Sequence, residues 1–481
     1  MDETARAERI VRAVALRTNA LLAARSVHVV EGGASLSAEV RRLIRALGAR
    51  DAAGSAALTL RLDLLSPHSD PHELVVELDG EPLVDAVDAD ARIDRAARLM
   101  TVSAGVAEGL DLRGLRVAVA MMLEPKTARL ALLLRAAGAE VGVYAHPDET
   151  DADVAAALRA RGLLVVADTT LSGVAERAAA EGFLRRGWDV LLDDGAHLIR
   201  LAHELEPSLV EGWIGACEET TSGLAPLRAM ADAGLLRSAV MAVNDARTKT
   251  WFDNRYGTAQ SCVFAVADLL DVVGRTVRDQ PAVVVGYGPV GEGVAAVLRA
   301  LGADVAVAEV DPVRALRALH DGFEVAPLAE RAAGALVVSA TGRAGTVPRA
   351  IAESSAVVAV AGGVPGEVDD LPGAEPVAPG IDRLPGGALL LGGGGAVNIT
   401  AAEGNPIEIM DLSFAVQLAA LGELLATRPA PGVHAVSATV DDLIARAALA
   451  ARGVSVDAPD VGVARAADGW RSPRFAHRSG T

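Results

Sequence analysis

One lysine, Lys249, stands four residues before Asp253 and five before Asn254, within the run Asn244-Asp245-Ala246-Arg247-Thr248-Lys249-Thr250-Trp251-Phe252-Asp253-Asn254-Arg255-Tyr256-Gly257. A lysine among carboxylate and amide groups can take a proton from an alcohol, provided burial and its neighbours bring its pKa down. About thirty residues further on, the apolar run Ala282-Val283-Val284-Val285 enters the turn Gly286-Tyr287-Gly288-Pro289-Val290-Gly291. Glu309 ends the next apolar strand, 23 positions after Gly286. A glycine turn after a strand, opening a helix, with an acidic residue at that distance, is the context a dinucleotide site requires. Gly286 permits the tight turn, Gly288 lets the backbone approach the pyrophosphate, and Gly291 lets the helix pack closely. Val290 lies in the same cofactor-contacting turn, and the helix N-terminus offers its N–H groups to phosphate. Glu309 would accept from ribose hydroxyls and so favours NAD, whereas Arg314 could meet a 2′-phosphate instead. The expected chemistry is oxidation of an alcohol by a nicotinamide cofactor.

The elements that must position these residues follow from hydrophobic period. Residues 1–95 read as a small α+β appendage, with a helix over 8–22, a strand over 58–64 and a hairpin over 72–84 turning at Asp79-Gly80. From 96 the pattern becomes strand, helix, strand. Strands are expected at 115–121, 140–144, 163–167 and 190–192, with helices at 127–137 and 154–161. Alternation of this kind argues for a doubly wound parallel sheet, whose ligands sit at the carboxyl ends of strands. Asp194 follows one such strand. A second unit repeats the pattern over 258–404. Helices are expected at 412–425 and 440–450. The fold class is therefore α/β, with two doubly wound parallel-sheet, Rossmann-like domains and an N-terminal appendage. Residues 96–257 would form the substrate domain, completed by 405–430. Residues 258–404 would bind NAD, and 431–481 would be a C-terminal extension.

Composition bounds the rest. The chain has 481 residues, 51% hydrophobic and 22% charged, a globular balance, and only 3% aromatic residues, so its cores must be packed from Ala, Val and Leu. A net charge of −18 argues against nucleic acid or an anionic membrane as partner. Two cysteines, Cys217 and Cys262, make neither a disulfide framework nor a zinc pattern, and no metal site is expected. The first residues are acidic and lack an apolar core of signal-peptide type, and no run of 18 apolar residues occurs, so neither a leader nor a membrane span is expected. A cytoplasmic location fits these features.

Four stretches together carry a family resemblance. They are Leu192-Asp193-Asp194-Gly195, Glu218-Glu219-Thr220-Thr221-Ser222-Gly223, the 244–257 segment, and the Gly286 turn with Glu309-Val310-Asp311-Pro312. In this order and spacing the chain resembles S-adenosylhomocysteine hydrolase (adenosylhomocysteinase) over residues 96–455. Further matches are Ala340-Thr341-Gly342, Val397-Asn398 and Gly432-Val433-His434. The resemblance implies that bound NAD oxidises a nucleoside 3′-hydroxyl, that the ketone acidifies the 4′ proton, and that elimination, water addition and reduction follow. It assigns Lys249 to the 3′-hydroxyl, with Asp253 and Asn254 positioning sugar and lysine. Glu219 would bind the ribose diol, and Asp194 would accept the 4′ proton. Thr220, Thr221, Ser222, Asn254 and Asn398 would contact the cofactor. It also implies a small nucleoside-type substrate and a homo-oligomer, dimer or tetramer.

The departures from the family are concentrated. Gly363, Asn405 and Met122 stand where the family has histidines. Glu124, Pro125 and Lys126 replace a Thr-Val-Glu run near the base. His146, followed by Pro147, replaces a cysteine, and His197 replaces an aspartate just after Asp194-Gly195. The tail Trp470-Arg471-Ser472-Pro473-Arg474-Phe475-Ala476-His477 lacks the family's lysine and tyrosines. The oxidation apparatus is thus retained, and the apparatus for the base and the 5′ departure is altered. The expected function is oxidation at 3′ of an altered ribosyl substrate, followed by elimination, epimerisation or hydrolysis. Two alternatives are an ordinary adenosylhomocysteinase, with His146 or His197 serving for the lost histidines, and a silent NAD-binding regulatory paralogue.

Overall fold

The structure, a computed structural model, describes residues 2–457 except 55, 67–68, 87, 279 and 365. The 470–477 tail lies outside the described residues. Three sheets organise the chain. The N-terminal sheet has five strands in the order Arg50–Asp51, Ser26–Val30, Leu58–Arg61, Val75–Leu78, Glu81–Pro82, covered by the helices Glu3–Thr18 and Ala34–Ala46. Its hairpin turns at Asp79-Gly80, where φ is 52° and 86°. Positive φ at both central residues matches the right-handed twist of the flanking strands, which is why Asp-Gly serves there. Buried Arg12 anchors this unit to the helix Thr258–Val272 by pairing with Asp268 and Asp271.

The second sheet has seven parallel strands, in the order Gly432–Ala435, Ala239–Ala242, Gly215–Glu218, Val190–Asp193, Arg116–Ala120, Glu140–Tyr144, Leu164–Val166. The chain winds outward from Arg116–Ala120 to Leu164–Val166, then returns beside it at Val190–Asp193 and winds the other way. The crevice at such a reversal is where an open α/β sheet takes its ligand. Here the reversal sets Asp193-Asp194 beside Met121-Met122. Gly432–Ala435 pairs with Ala239–Ala242 and the helix Ala438–Ala451 packs behind it, so the sheet runs past the expected boundary at 430. Strand pairing across nearly two hundred residues leaves no local trace in the sequence.

The third sheet has eight strands, in the order Glu324–Val325, Asp304–Ala308, Pro281–Val285, Leu336–Ser339, Val357–Val360, Leu389–Leu391, Ile381–Arg383, Glu375–Ala378. The first six are parallel and the last two antiparallel. Its reversal falls between Pro281–Val285 and Leu336–Ser339, at the glycine turn and Ala340-Thr341-Gly342. Among the described residues one helix, Ile407–Thr427, is long and apolar enough to cross a membrane, but 67% of its apolar window is buried inside the protein. Its buried Asp411 accepts from the backbone of Val102 and Ser103, and Gln417 donates to the Cys217 carbonyl. Those bonds satisfy polar groups that would otherwise cost free energy in a core.

Candidate active site

Lys249 ends the short helix Arg247–Lys249, and Thr250–Gly257 continues it as a π-helix. Widening to i→i+5 bonding turns both the fourth and the fifth following residue toward one side chain. Lys249 Nζ accordingly meets Asp253 Oδ2 at 2.9 Å and donates to Asn254 Oδ1 at 3.0 Å. Each of these partners is held in turn. Ser413 donates to Asp253 Oδ2 at 2.9 Å, and Asn405 Nδ2 donates to Asp253 Oδ1. Asn405 also receives Asn398 Nδ2 at 3.1 Å and Ser261 Oγ at 2.8 Å. Asn254 Nδ2 reaches Asn244 Oδ1 at 3.2 Å, which also accepts from Thr221 Oγ1 at 3.0 Å. The structure thereby brings Lys249, Asp253, Asn254, Thr221 and Asn398 into one network.

Asp194 and Glu219 enter from the carboxyl ends of neighbouring strands. Glu219 is buried, and burial pushes its carboxyl up to about 8 in spite of the Lys249 charge. Asp194 is raised for the same reason, again against Lys249 and against the Thr220 hydroxyl. Glu218 underpins both. It accepts from the backbone of Gly195, Ala196 and Thr220 and from the Thr220 hydroxyl, so Thr220 serves the strand end. Ser222 donates to Thr220 at 3.1 Å and is the nearest side chain to Gly363, 3.9 Å from where a Cβ would stand.

One expectation is corrected here. Lys249 does not sit below its ordinary pKa. Burial works against its ammonium, but Asp253, Glu219 and Asp194 overcome that and hold it above the usual value. Three carboxylates from three elements face one cation, a convergence that the Lys-to-Asp spacing does not reveal.

The cofactor turn has the shape its glycines require. Gly286 has φ 92°, and a Cβ on Gly291 would lie 1.9 Å from the Gly286 carbonyl oxygen. Gly288 N-caps the helix Pro289–Leu301 without a side-chain cap, leaving first-turn N–H groups for an anion. Glu309 accepts from the backbone of Tyr287, Val310 and Asp311 at 2.6, 2.7 and 2.9 Å. A carboxylate has about four acceptor sites, so one remains for a ribose hydroxyl. Arg314 places a guanidinium nitrogen 3.6 Å from where a Gly288 Cβ would be. The residues present fit a dinucleotide.

The two remaining sides of the site were only partly read from the sequence. On one, Lys126 is fully buried, 2.8 Å from Glu124 Oε2 and donating to the Glu403 carbonyl at 2.8 Å. Glu124 also caps the helix Pro125–Ala136 through the Lys126 and Thr127 N–H groups. The changed charge at 126 is therefore paired within the protein, and Glu124 acts on Glu219. On the other side, His146 Nδ1 lies 2.9 Å from Glu176 Oε1, and its ring meets that of His197 edge-on at 4.9 Å. Burial pushes His197 down to about 4, and Glu149 beside Asp194 up to about 8. Among the described residues no cluster has metal-ligand form.

A glycine cradle at the strand ends of one sheet, with a lysine–carboxylate network at the strand ends of another, defines the class: an NAD-dependent enzyme on two Rossmann-like units. Residues 254–369 match the family model described as S-adenosyl-L-homocysteine hydrolase, NAD binding domain. Over 379 residues the chain is 37% identical to an S-inosyl-L-homocysteine hydrolase of Methanothermobacter thermautotrophicus, covering 75% of this chain and 89% of that one. It is 37% identical over 401 residues to an adenosylhomocysteinase of Thermococcus kodakarensis, covering 77% and 93%. It is 39% identical over 370 residues to an S-inosyl-L-homocysteine hydrolase of Methanopyrus kandleri, covering 73% and 86%. The chain belongs to the adenosylhomocysteinase family of NAD-dependent hydrolases, as the resemblance had implied.

Proposed function

We propose that this enzyme hydrolyses a thioether of homocysteine with a purine nucleoside, by way of a 3′ ketone, and that its base is a 6-oxo purine such as hypoxanthine. The observation that carries the redox part is the interlocked network of Lys249, Asp253 and Asn254 beside Glu219 and Asp194. Bound NAD would supply the oxidant for a C3′ alcohol and return its reducing equivalents at the end of the cycle. Glu219 binds the ribose diol. Lys249, as an ammonium, holds the 3′ oxygen and favours its alkoxide, while the proton passes into the coupled carboxylate cluster rather than to one assignable group. Asp194, whose burial raises its proton affinity, takes the 4′ proton once the ketone has acidified it.

Lys126 supports the choice of base. An ammonium has three donors and no acceptor, and two are engaged with Glu124 and Glu403. The third N–H suits a carbonyl at purine C6 and meets an amino group there donor to donor. Two of the relatives above are named for inosyl substrates, which carry that carbonyl. The test is homocysteine release from S-inosyl- and S-adenosyl-homocysteine side by side. A preference of about tenfold or more in kcat/KM for the inosyl compound is expected, the worth of about one well-placed hydrogen bond. Equal or reversed preference would reject the base assignment. Absence of absorbance at about 340 nm with either compound would reject the redox reading.

A further inference from the structure

We infer that His146, backed by Glu176, is the acid that protonates the departing 5′ sulfur; this rests on the reading just given. The order of groups along the site carries it. With the ribose C3′ at Lys249 and C4′ at Asp194, C5′ and its substituent continue beyond Asp194. What lies beyond Asp194 is set by strand register. Ala120 pairs with both Asp193 and Tyr144, so Asp194 and His146 leave the carboxyl ends of the two strands that flank Arg116–Ala120, one and two residues later. His197 fills the corner between them. Its ring packs against Gly195, where a Cβ would stand 2.6 Å from Nε2, and against the His146 ring at 4.9 Å. The His146 ring meets Tyr144, Glu176 and His197, its carbonyl accepts from Glu149 N and Thr150 Oγ1, and Asp194 lies beyond. Glu176 occupies Nδ1, which leaves Nε2 as the atom that exchanges a proton, and the carboxylate balances the ring's charge when both nitrogens are protonated.

Other imidazoles are engaged or distant. His203 is bonded at both nitrogens, to Ile199 O and Arg237 N. His28 and His72 belong to the N-terminal unit, His320 follows the cofactor turn, and His434 bonds the Ala430 carbonyl. Among the described residues, His146 and His197 are the imidazoles beside Asp194.

In the step itself the C4′–H proton goes to Asp194. The electron pair left at C4′ forms the C4′=C5′ bond as the C5′–S bond breaks. Sulfur keeps the pair of that bond, takes the proton from His146 Nε2, and leaves as a neutral thiol. The neutral ring can then accept a proton from the water that adds at C5′.

The test uses the full chain loaded with its cofactor, His146→Gln and Glu176→Gln, and two substrates. One is S-inosyl-homocysteine. The other carries 4-nitrothiophenol at C5′, a thiol acidic enough to leave as the anion. For His146→Gln we expect homocysteine release to fall on the order of 100-fold, nitrothiophenol release to change by less than about fivefold, and deuterium uptake at C4′ from heavy water to persist. Glu176→Gln should give the same pattern with a smaller loss. Equal losses for both leaving groups, loss of deuterium uptake, or unchanged homocysteine release would each overturn the assignment. A parent enzyme that takes up no C4′ deuterium from either substrate would overturn the underlying reading and the inference with it.

Discussion

The two ends of the candidate site are built differently. At Lys249 each polar partner is bonded by a residue from another element: Ser413 and Asn405 on Asp253, Asn244 on Asn254. At His146 the side chains make one ion pair, His146–Glu176, and otherwise stack on one another. The interlocked end carries the family-like Lys249, Asp253 and Asn254 with one departure, Asn405, that is itself bonded into the network, and the looser end carries His146 and His197. A network in which each member satisfies several others resists substitution, because removing one group strands the rest without partners. A site of pairs and stacked rings can exchange residues one at a time. On the proposed function, the difference locates where a new leaving group or base would be accommodated without disturbing the oxidation.

Loss of Lys249 should be the most damaging change. Lys249→Met should lower turnover about 1,000-fold and abolish the absorbance at about 340 nm on adding substrate, measured by stopped flow. It should also lower the unfolding free energy by about 3 kcal/mol in urea titration, since Asp253 is left buried and unpaired. Asn405→Ala comes next. It removes four bonds and frees Asp253 Oδ1, so kcat should fall about tenfold with KM little changed. A larger change in KM than in kcat would show that Asn405 binds substrate instead of holding Asp253.

The smallest effect should come from the looser end. Glu149 has a folded pKa near 8, raised chiefly by burial and then by Asp194. Between its unfolded value and about 8 the folded state holds more protons than the unfolded one, so this group makes stability fall as pH rises through that window. Glu149→Gln should therefore raise the unfolding free energy in urea titration at pH 8 by an amount on the order of 1 kcal/mol, and leave it nearly unchanged at pH 4. A gain at pH 4 as large as at pH 8 would show that the carboxyl is not the cause.

Much of this architecture was legible because local pattern decides it. The apolar strand Pro281–Val285, the glycine turn and Glu309 follow from period and spacing, as does the helix Pro289–Leu301 ended by Gly302 at φ 95°. What was not legible depends on distant residues. Asn405 bonds Asp253 across 152 positions, and the charge state of Lys249 depends on carboxylates from separate strand ends. The π-helical widening at 250–257 has no composition of its own. The membrane question divides the same way. Sequence runs show no long uninterrupted apolar stretch, yet Ile407–Thr427 is apolar on average and finds its place inside the fold.

That helix and the strand after it bear on how the chain is made. The seven-stranded sheet lacks its Gly432–Ala435 edge, and the helix beneath it, until residues made after the whole cofactor unit have left the ribosome. Through that interval Ala239–Ala242 presents an unpaired parallel edge, and the apolar surface that Ile407–Thr427 covers lies open. Such an edge invites pairing with other nascent chains. The cofactor sheet closes within 281–391 and can mature first. During synthesis, then, the half that binds NAD is finished while the half that carries Asp194 and Glu219 still waits for its last strand.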